Sequence, residues 1–288
     1  MAIEPEGTPH ERSSLRKLGV VAGGGDLPRR VVDRCRQEGR PVFVFAIEGA
    51  ATPGAFDDVP HCWIRLGAAA QYLRRAQEEG VQDLVLVGPV KRPSFAALRP
   101  DGLALKVLLR IGARALGDDG LLRAVIGVLE SEYGWRVVGV ESLLTDLSPE
   151  PGLLGRCAPD AIAEGDIERA RDVLRALAAA DVGQAVVVQE GLVLGVEAIE
   201  GTDALIERCA ALKRDGPGGV LVKCAKPGQE MRADRPTLGP RTVERARDAG
   251  LRGVAVESGR TLLVDRARMV EIADAAGLFL VAIPPLEA

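Results

Sequence analysis

The densest polar stretch of the chain is KCAKPGQEMRADRPTLGPRT, from Lys223 to Thr242, where Lys223, Lys226, Arg232 and Arg235 stand among Gln229, Glu230 and Asp234. Such a mixture suits phosphate chemistry. Cations neutralise the oxygens of a pyrophosphate, while a carboxylate holds a divalent metal or orients an attacking water. Pro227, Gly228, Pro236 and Gly239 keep the stretch in a loop, where sites tend to lie. By composition alone the same residues also make an ordinary solvated loop.

Three further constellations bear on chemistry. In GVEAIEGTDALIER, Glu197, Glu200, Thr202 and Asp203 fall at a strand end and a helix start. There Thr202 or Asp203 can cap the helix. Alternatively, Gly201 and Thr202 offer donors to a phosphate, with Glu197 or Asp203 near a metal. The turn AGGGDLP, with Gly23, Gly24 and Gly25 between an apolar run and a helix, suits an anion for similar reasons, but a tight turn without a ligand needs the same glycines. It is neither a GxGxxG fingerprint nor a GxxxxGK[ST] loop, so dinucleotide and P-loop readings lose their main support. Gly117-Asp118-Asp119-Gly120 reads as a helix entry with acidic residues against the dipole. His61 has no second histidine near it, so neither a His-rich metal centre nor a Ser-His-Asp triad is supported.

The elements that must position these residues alternate between strand and helix. Leu18–Ala22 reads as a strand, Pro28 opens a helix ending at Gly39, and Pro41–Ile47 is a second strand, completing a βαβ unit. Ala68–Glu79 is helical, Leu84–Val87 a buried strand, Ser94–Glu132 mainly helical and Trp135–Val140 a strand again. Pro, Gly and Asp then concentrate without periodicity, which predicts a linker over 147–166 between a domain at 15–146 and one at 167–285. In the second domain, Ile167–Ala180 is helical, and Ala185–Gln189 and Leu192–Ala198 flank Glu190-Gly191 as a hairpin. Helices over Thr202–Lys213, Arg241–Ala249 and Asp265–Ala276 alternate with strands at Gly219–Lys223, Val254–Val256, Leu262–Val264 and Leu278–Ile283. The fold class is therefore α/β, with two α/β domains: a Rossmann-like parallel sheet first, then a mixed domain.

Composition narrows the partners. The 288 residues carry 37 Lys and Arg against 41 Asp and Glu, a balance of −4 that gathers no polyanion, and aromatics at 3% offer no stacking platform, so a nucleic-acid partner is not expected. The five cysteines never approach CxxC spacing and read as buried thiols in a reducing cytoplasm. The first residues lack a signal-peptide core and no segment offers about 18 apolar residues in a row, so membrane contact is expected to be peripheral.

Taken in order, LGVVAGGGDLP, VGPVKRP, GDDGLLR, VVVQEGLVLGVEAIEGTDALIER and VLVKCAKPGQEMRADRPTLGPRT resemble the motifs of the LpxI family of UDP-2,3-diacylglucosamine pyrophosphatases, from about Lys17 to Ile283. The resemblance implies an enzyme on the inner face of the inner membrane that releases UMP and 2,3-diacylglucosamine 1-phosphate (lipid X) from a lipid-bearing UDP-sugar in lipid A synthesis. It implies Mg²⁺ or a similar ion such as Mn²⁺, and two α/β domains with the substrate in a chamber between them. The catalytic aspartate of the family's R-x-D-x-P stretch matches Asp234, which with Glu197 and Asp203 would hold the metal. Lys223, Lys226, Gln229 and Arg232 would contact substrate, and Gly23, Gly24, Gly25, Gly201 and Thr202 would line its chamber. Two departures stand out: Arg235 replaces an apolar residue before the proline, and Glu230 replaces an aspartate. Arg235 would depress the Asp234 pKa or pair with it. The competing readings are a hydrolase of another nucleotide diphosphate sugar and a non-catalytic nucleotide-binding module; a homodimer is the default assembly.

Overall fold

The computed structural model describes residues 15–91, 95–111 and 118–286, and the chain divides into two compact units with the break between Leu144 and Thr145.

In the first unit, β1 (Leu18–Ala22), β2 (Val42–Ile47), β3 (His61–Ile64), β4 (Asp83–Val87) and β5 (Arg136–Val137) form a wholly parallel sheet in the order β3-β2-β1-β4-β5. Helices α1 (Leu27–Gln37), α2 (Ala69–Glu78), α3 (Phe95–Leu98), α4 (Gly102–Ile111) and α5 (Asp118–Tyr133) occupy the connections. The central strands are continuous apolar runs because both faces of a parallel sheet are covered: all six residues of β2 are buried. Since β1 lies between β2 and β4, the turn after it opens at the point where the strand order reverses, the usual ligand crevice of such sheets. At the opposite end, Asp83 is fully buried and receives Arg16 at 2.8 Å, Arg40 at 2.7 Å and Arg136 at 2.9 Å. Three guanidinium groups offset the desolvation of one carboxylate and tie the amino-terminal ends of neighbouring strands together.

The second unit contains β6 (Gly152–Leu153), α6 (Ala161–Ala178), β7 (Ala185–Gln189), β8 (Leu192–Val196), α7 (Thr202–Ala210), β9 (Val220–Lys223), β10 (Thr237–Leu238), α8 (Pro240–Asp248), β11 (Gly253–Glu257), β12 (Leu262–Leu263), α9 (Arg266–Ala276) and β13 (Phe279–Ile283). Its main sheet runs β6-β13-β11-β9-β7-β8, with β13, β11 and β9 parallel, and β6 and β7 antiparallel to their neighbours. Alternate strand residues point to opposite faces. Ala185, Val187, Leu221 and Val254 pack with Leu205, Ile206, Val243 and Met269 of α7, α8 and α9. Val186, Val188, Val222 and Val281 pack with Ile167, Ala170 and Leu174 of α6 on the other side. The result is a three-layer α/β/α sandwich.

The expected hairpin forms, with Glu190 at φ +50° and Gly191 at φ +78° in the turn. The buried Asp166 of α6 accepts from the amides of Glu190 at 3.0 Å and Gly191 at 2.6 Å, which fastens the hairpin to the helix.

Several elements differ from the sequence reading. β3 follows a loop rich in Gly, Pro and Asp; its four residues are too few for a clear period in the sequence, and they gain their ladder by pairing with β2. α6 begins at Ala161, where Asp160 caps it by accepting from the Ala163 amide at 2.9 Å, and β6 pairs with β13, so residues 147–166 contribute to the second sheet and its covering helix. β5 spans only two residues, and β10 pairs with β12 in a separate small sheet. Cys35, Cys209 and Cys224 are buried thiols as expected, whereas Cys62 and Cys157 are half-buried.

Candidate functional site

β8 and β9 run in the same direction on either side of β7, so Glu197, just past β8, and Lys223, the last residue of β9, arrive together at one edge of the sheet. Gly183 permits the approach. At φ +56°, any Cβ there would collide with the Glu197 carbonyl. The Glu197 carboxylate is buried and accepts from the Gln184 amide at 3.0 Å and from the Thr202 hydroxyl at 2.6 Å. Thr202 in turn accepts from the Lys223 ammonium at 2.9 Å, and Lys223 also donates to the Thr237 carbonyl at 3.2 Å. Burial pushes the Lys223 pKa below the ordinary lysine value, opposed by the charges of Glu197, Asp203 and Asp234.

Above this floor lies the loop from Cys224 to Pro236. Gln229 is buried and bridges it: its Oε1 accepts from the Lys226 amide at 2.8 Å, and its Nε2 donates to Asp234 Oδ2 at 2.6 Å. Asp234 is half-buried, and its own amide donates to the Glu230 carbonyl at 3.0 Å. Arg232 clasps the Glu230 carboxylate through Nε at 2.8 Å and Nη2 at 2.9 Å. Lys226 is ion-paired with Asp181, a residue held at φ +54°. Arg235 donates to the Met231 carbonyl at 3.2 Å, the Ser148 hydroxyl at 3.3 Å and the Gly259 carbonyl at 3.2 Å. These bonds direct its guanidinium toward the loops around residues 148 and 259.

Asp234, Gln229, Lys223, Thr202, Gly201, Glu197, Lys226 and Arg232 thus fall within one region of the second unit, but the first contacts of several differ from expectation. Lys223, Lys226 and Arg232, expected to meet substrate, bond to protein groups. The cap of α7 is Gly201, at φ +82°, with no side-chain cap; Thr202 turns to Glu197 instead, and Asp203 pairs with Arg241 at 3.0 Å and Arg245 at 3.3 Å. The trio expected to hold a metal does not assemble: Asp203 faces the arginines of α8, while Glu197 accepts from Thr202 and the Gln184 amide. Among the described residues no group of three or more His, Cys, Asp and Glu is arranged to hold an ion.

The glycine turn belongs to the first unit. Gly23 donates to the Val87 carbonyl and Gly24 to the Pro89 carbonyl, each at 2.9 Å, so two of the three amides expected to face an anion already have partners. A Cβ on Gly23 would collide with the Gly88 carbonyl, so this glycine serves the close approach of two loops. α5 is described from Asp118, but the side chains of Asp118 and Asp119 lie outside the described residues. His61 sits on β3, where its Nδ1 lies 3.0 Å from the Val59 carbonyl. Asp181, Gln184 and Thr237 were not foreseen in the site; a short Asp-Val-Gly-Gln turn and a threonine beyond a proline carry no distinctive sequence signal.

A doubly wound unit followed by a mixed α/β unit, with a polar loop of cations and one anchored aspartate at the carboxyl edge of its strands, defines a two-domain α/β protein equipped for a phosphorylated ligand. Residues 17–147 match the LpxI N-terminal domain and residues 150–281 the LpxI C-terminal domain. The chain is 41% identical over 281 residues to the UDP-2,3-diacylglucosamine pyrophosphatase LpxI of Caulobacter vibrioides, covering 95% of this chain and 99% of that protein. The chain belongs to the LpxI family.

Proposed function

We infer that the chain hydrolyses the pyrophosphate of UDP-2,3-diacylglucosamine to UMP and 2,3-diacylglucosamine 1-phosphate in lipid A synthesis, with Asp234 as the catalytic residue. The observation that carries the assignment to Asp234 is its anchorage: a half-buried carboxylate oriented by the buried Gln229 amide at 2.6 Å, in the loop that follows β9. A carboxylate held in this way accepts a hydrogen bond from water and takes its proton as the oxygen attacks phosphorus. One phosphoanhydride P–O bond breaks, and the departing phosphate carries the electron pair. Lys226 and Arg232 are paired with Asp181 and Glu230; exchanging those partners for phosphate oxygens lets them neutralise developing charge.

The divalent cation implied by the resemblance does not fit Asp234, Glu197 and Asp203 as a ligand set. Mg²⁺ or Mn²⁺ enters the assay with the pyrophosphate, whose oxygens are hard ligands. No helix among the described residues is long and apolar enough to cross a membrane. From the family's lipid substrate, we place the encounter at the inner face of the inner membrane, with the protein peripheral and cytoplasmic.

The test follows UMP release from UDP-2,3-diacylglucosamine with Mg²⁺, beside Asp234→Ala and an EDTA control. Release by the wild type that is lost in the variant supports the reading. UDP binding without UMP release would replace it with a binding module, and turnover of a deacylated UDP-sugar at an equal rate would replace the substrate.

A further inference from the structure

We propose that Lys223 is a positioning residue that sets the loop carrying Asp234 against the first turn of α7, acting through the Thr202 hydroxyl and the Thr237 carbonyl rather than touching substrate phosphate. The inference rests on the assignment of the chemistry to Asp234. Its basis is connectivity. Lys223 is 6% exposed and ends β9, so its backbone is fixed by the sheet ladder. From that fixed base its ammonium reaches Thr202 at 2.9 Å and Thr237 at 3.2 Å. Thr237 lies three residues beyond Asp234, and Thr202 opens α7.

The direction of the bonds is determined. An ammonium only donates, so Thr202 Oγ1 accepts from Lys223 and spends its one proton on Glu197. Glu197 is fixed from behind by the Gln184 amide at 3.0 Å. The chain Lys223, Thr202, Glu197, Gln184 therefore has one arrangement, and it bolts the β8–α7 corner to β7, β9 and the far end of the catalytic loop. An apolar side chain of similar length would avoid the desolvation cost of a buried ammonium but could not reach both loops with hydrogen bonds. A phosphate-binding lysine needs its ammonium open to the ligand, and this one is covered.

The experiment measures kcat and KM for UDP-2,3-diacylglucosamine in mixed micelles, with thermal midpoints, for Lys223→Met, Thr202→Val, Thr202→Ser, the Lys223→Met/Thr202→Val pair and Asp234→Asn. We expect Lys223→Met to lower kcat by about 100-fold with KM within twofold, the cost of a small misplacement of the reacting groups. Thr202→Val lowers kcat in the same way, Thr202→Ser recovers most of the loss, and the double variant is no worse than Lys223→Met. A tenfold rise in KM with kcat retained in Lys223→Met would show direct substrate contact and overturn the inference, as would additive losses in the double variant or Thr202→Ser no better than Thr202→Val. Should Lys223→Met fail to fold, the Thr202 pair decides alone. An active Asp234→Asn would sink the Asp234 assignment and this inference with it, whereas an inactive one leaves the Lys223 and Thr202 results to judge the inference alone.

Discussion

Gln229 donates from Nε2 to Asp234 Oδ2 at 2.6 Å while its Oε1 accepts from the Lys226 amide at 2.8 Å, so its side-chain amide has only one orientation. Gln229→Glu replaces a donor with a carboxylate facing Asp234. The expected result is a fall in kcat of about 10- to 100-fold, since a preorganised donor at the reacting centre is lost. A rise in KM without loss of kcat would show that Gln229 meets substrate directly.

Asp166, buried on α6, joins the helix to the β7–β8 hairpin by accepting from the backbone amides of the exposed turn residues Glu190 and Gly191. Asp166→Ala removes two charge-assisted bonds from donors that water can reach, and the second unit should lose about 1–3 kcal/mol. Urea unfolding followed by far-UV circular dichroism measures it; a shift of under half a kilocalorie would mean that the hairpin relaxes to water.

Asp83 is the counterpart in the first unit. Removing it leaves the mostly buried Arg40 guanidinium without its carboxylate while the more exposed Arg16 and Arg136 turn to water, and Asp83→Ala should cost about 2–3 kcal/mol. Both tryptophans, Trp63 and Trp135, belong to this unit, so tryptophan fluorescence reads its unfolding while circular dichroism reads both units. The fluorescence transition should move and the remaining dichroism transition should stay.

Asp160 is held below the usual carboxylate range, first by the Arg252 guanidinium at 2.5 Å and then by the Ala163 amide. A depressed folded pKa contributes stability that is present above the unfolded value of about 4 and is lost as pH falls toward the folded value. Asp160→Asn should therefore be less stable than wild type at pH 7, with the gap closing below about pH 4. Thermal midpoints across pH 2–7 test the sign, and a gap that widens in acid would reverse it.

Gly183 marks where β7 begins against the end of β8. Gly183→Ala faces both a positive φ and the Glu197 carbonyl, so it should displace Glu197 and lower the thermal midpoint. An unchanged midpoint, with the Glu197 to Thr202 bond intact in the variant's structure, would show that the two strand ends yield without strain.

The sequence by itself determined the elements whose patterning is local: the apolar runs of β1, β2, β7 and β9, the Glu190-Gly191 turn, and the alternation that makes both units α/β. Its ordered motifs also determined the family and singled out Asp234, because the spacing Arg232-Ala233-Asp234-Arg235-Pro236 is a one-dimensional signal. The tertiary structure decided what each polar side chain touches. His61–Ile64, too short to show a period, became a strand by pairing with β2, and Asp160 rather than a residue near 167 started α6. Lys223, Lys226 and Arg232 are cations of the expected kind, yet their partners Thr202, Asp181 and Glu230 depend on where β7, β8 and β9 end relative to one another. The same holds for Glu197 and Asp203, which stand six positions apart in sequence but turn to opposite neighbours, Thr202 and the arginines of α8. Hydrogen-bond partners are set by distances of a few ångströms between segments far apart in the chain, and residue type and spacing encode no such distances.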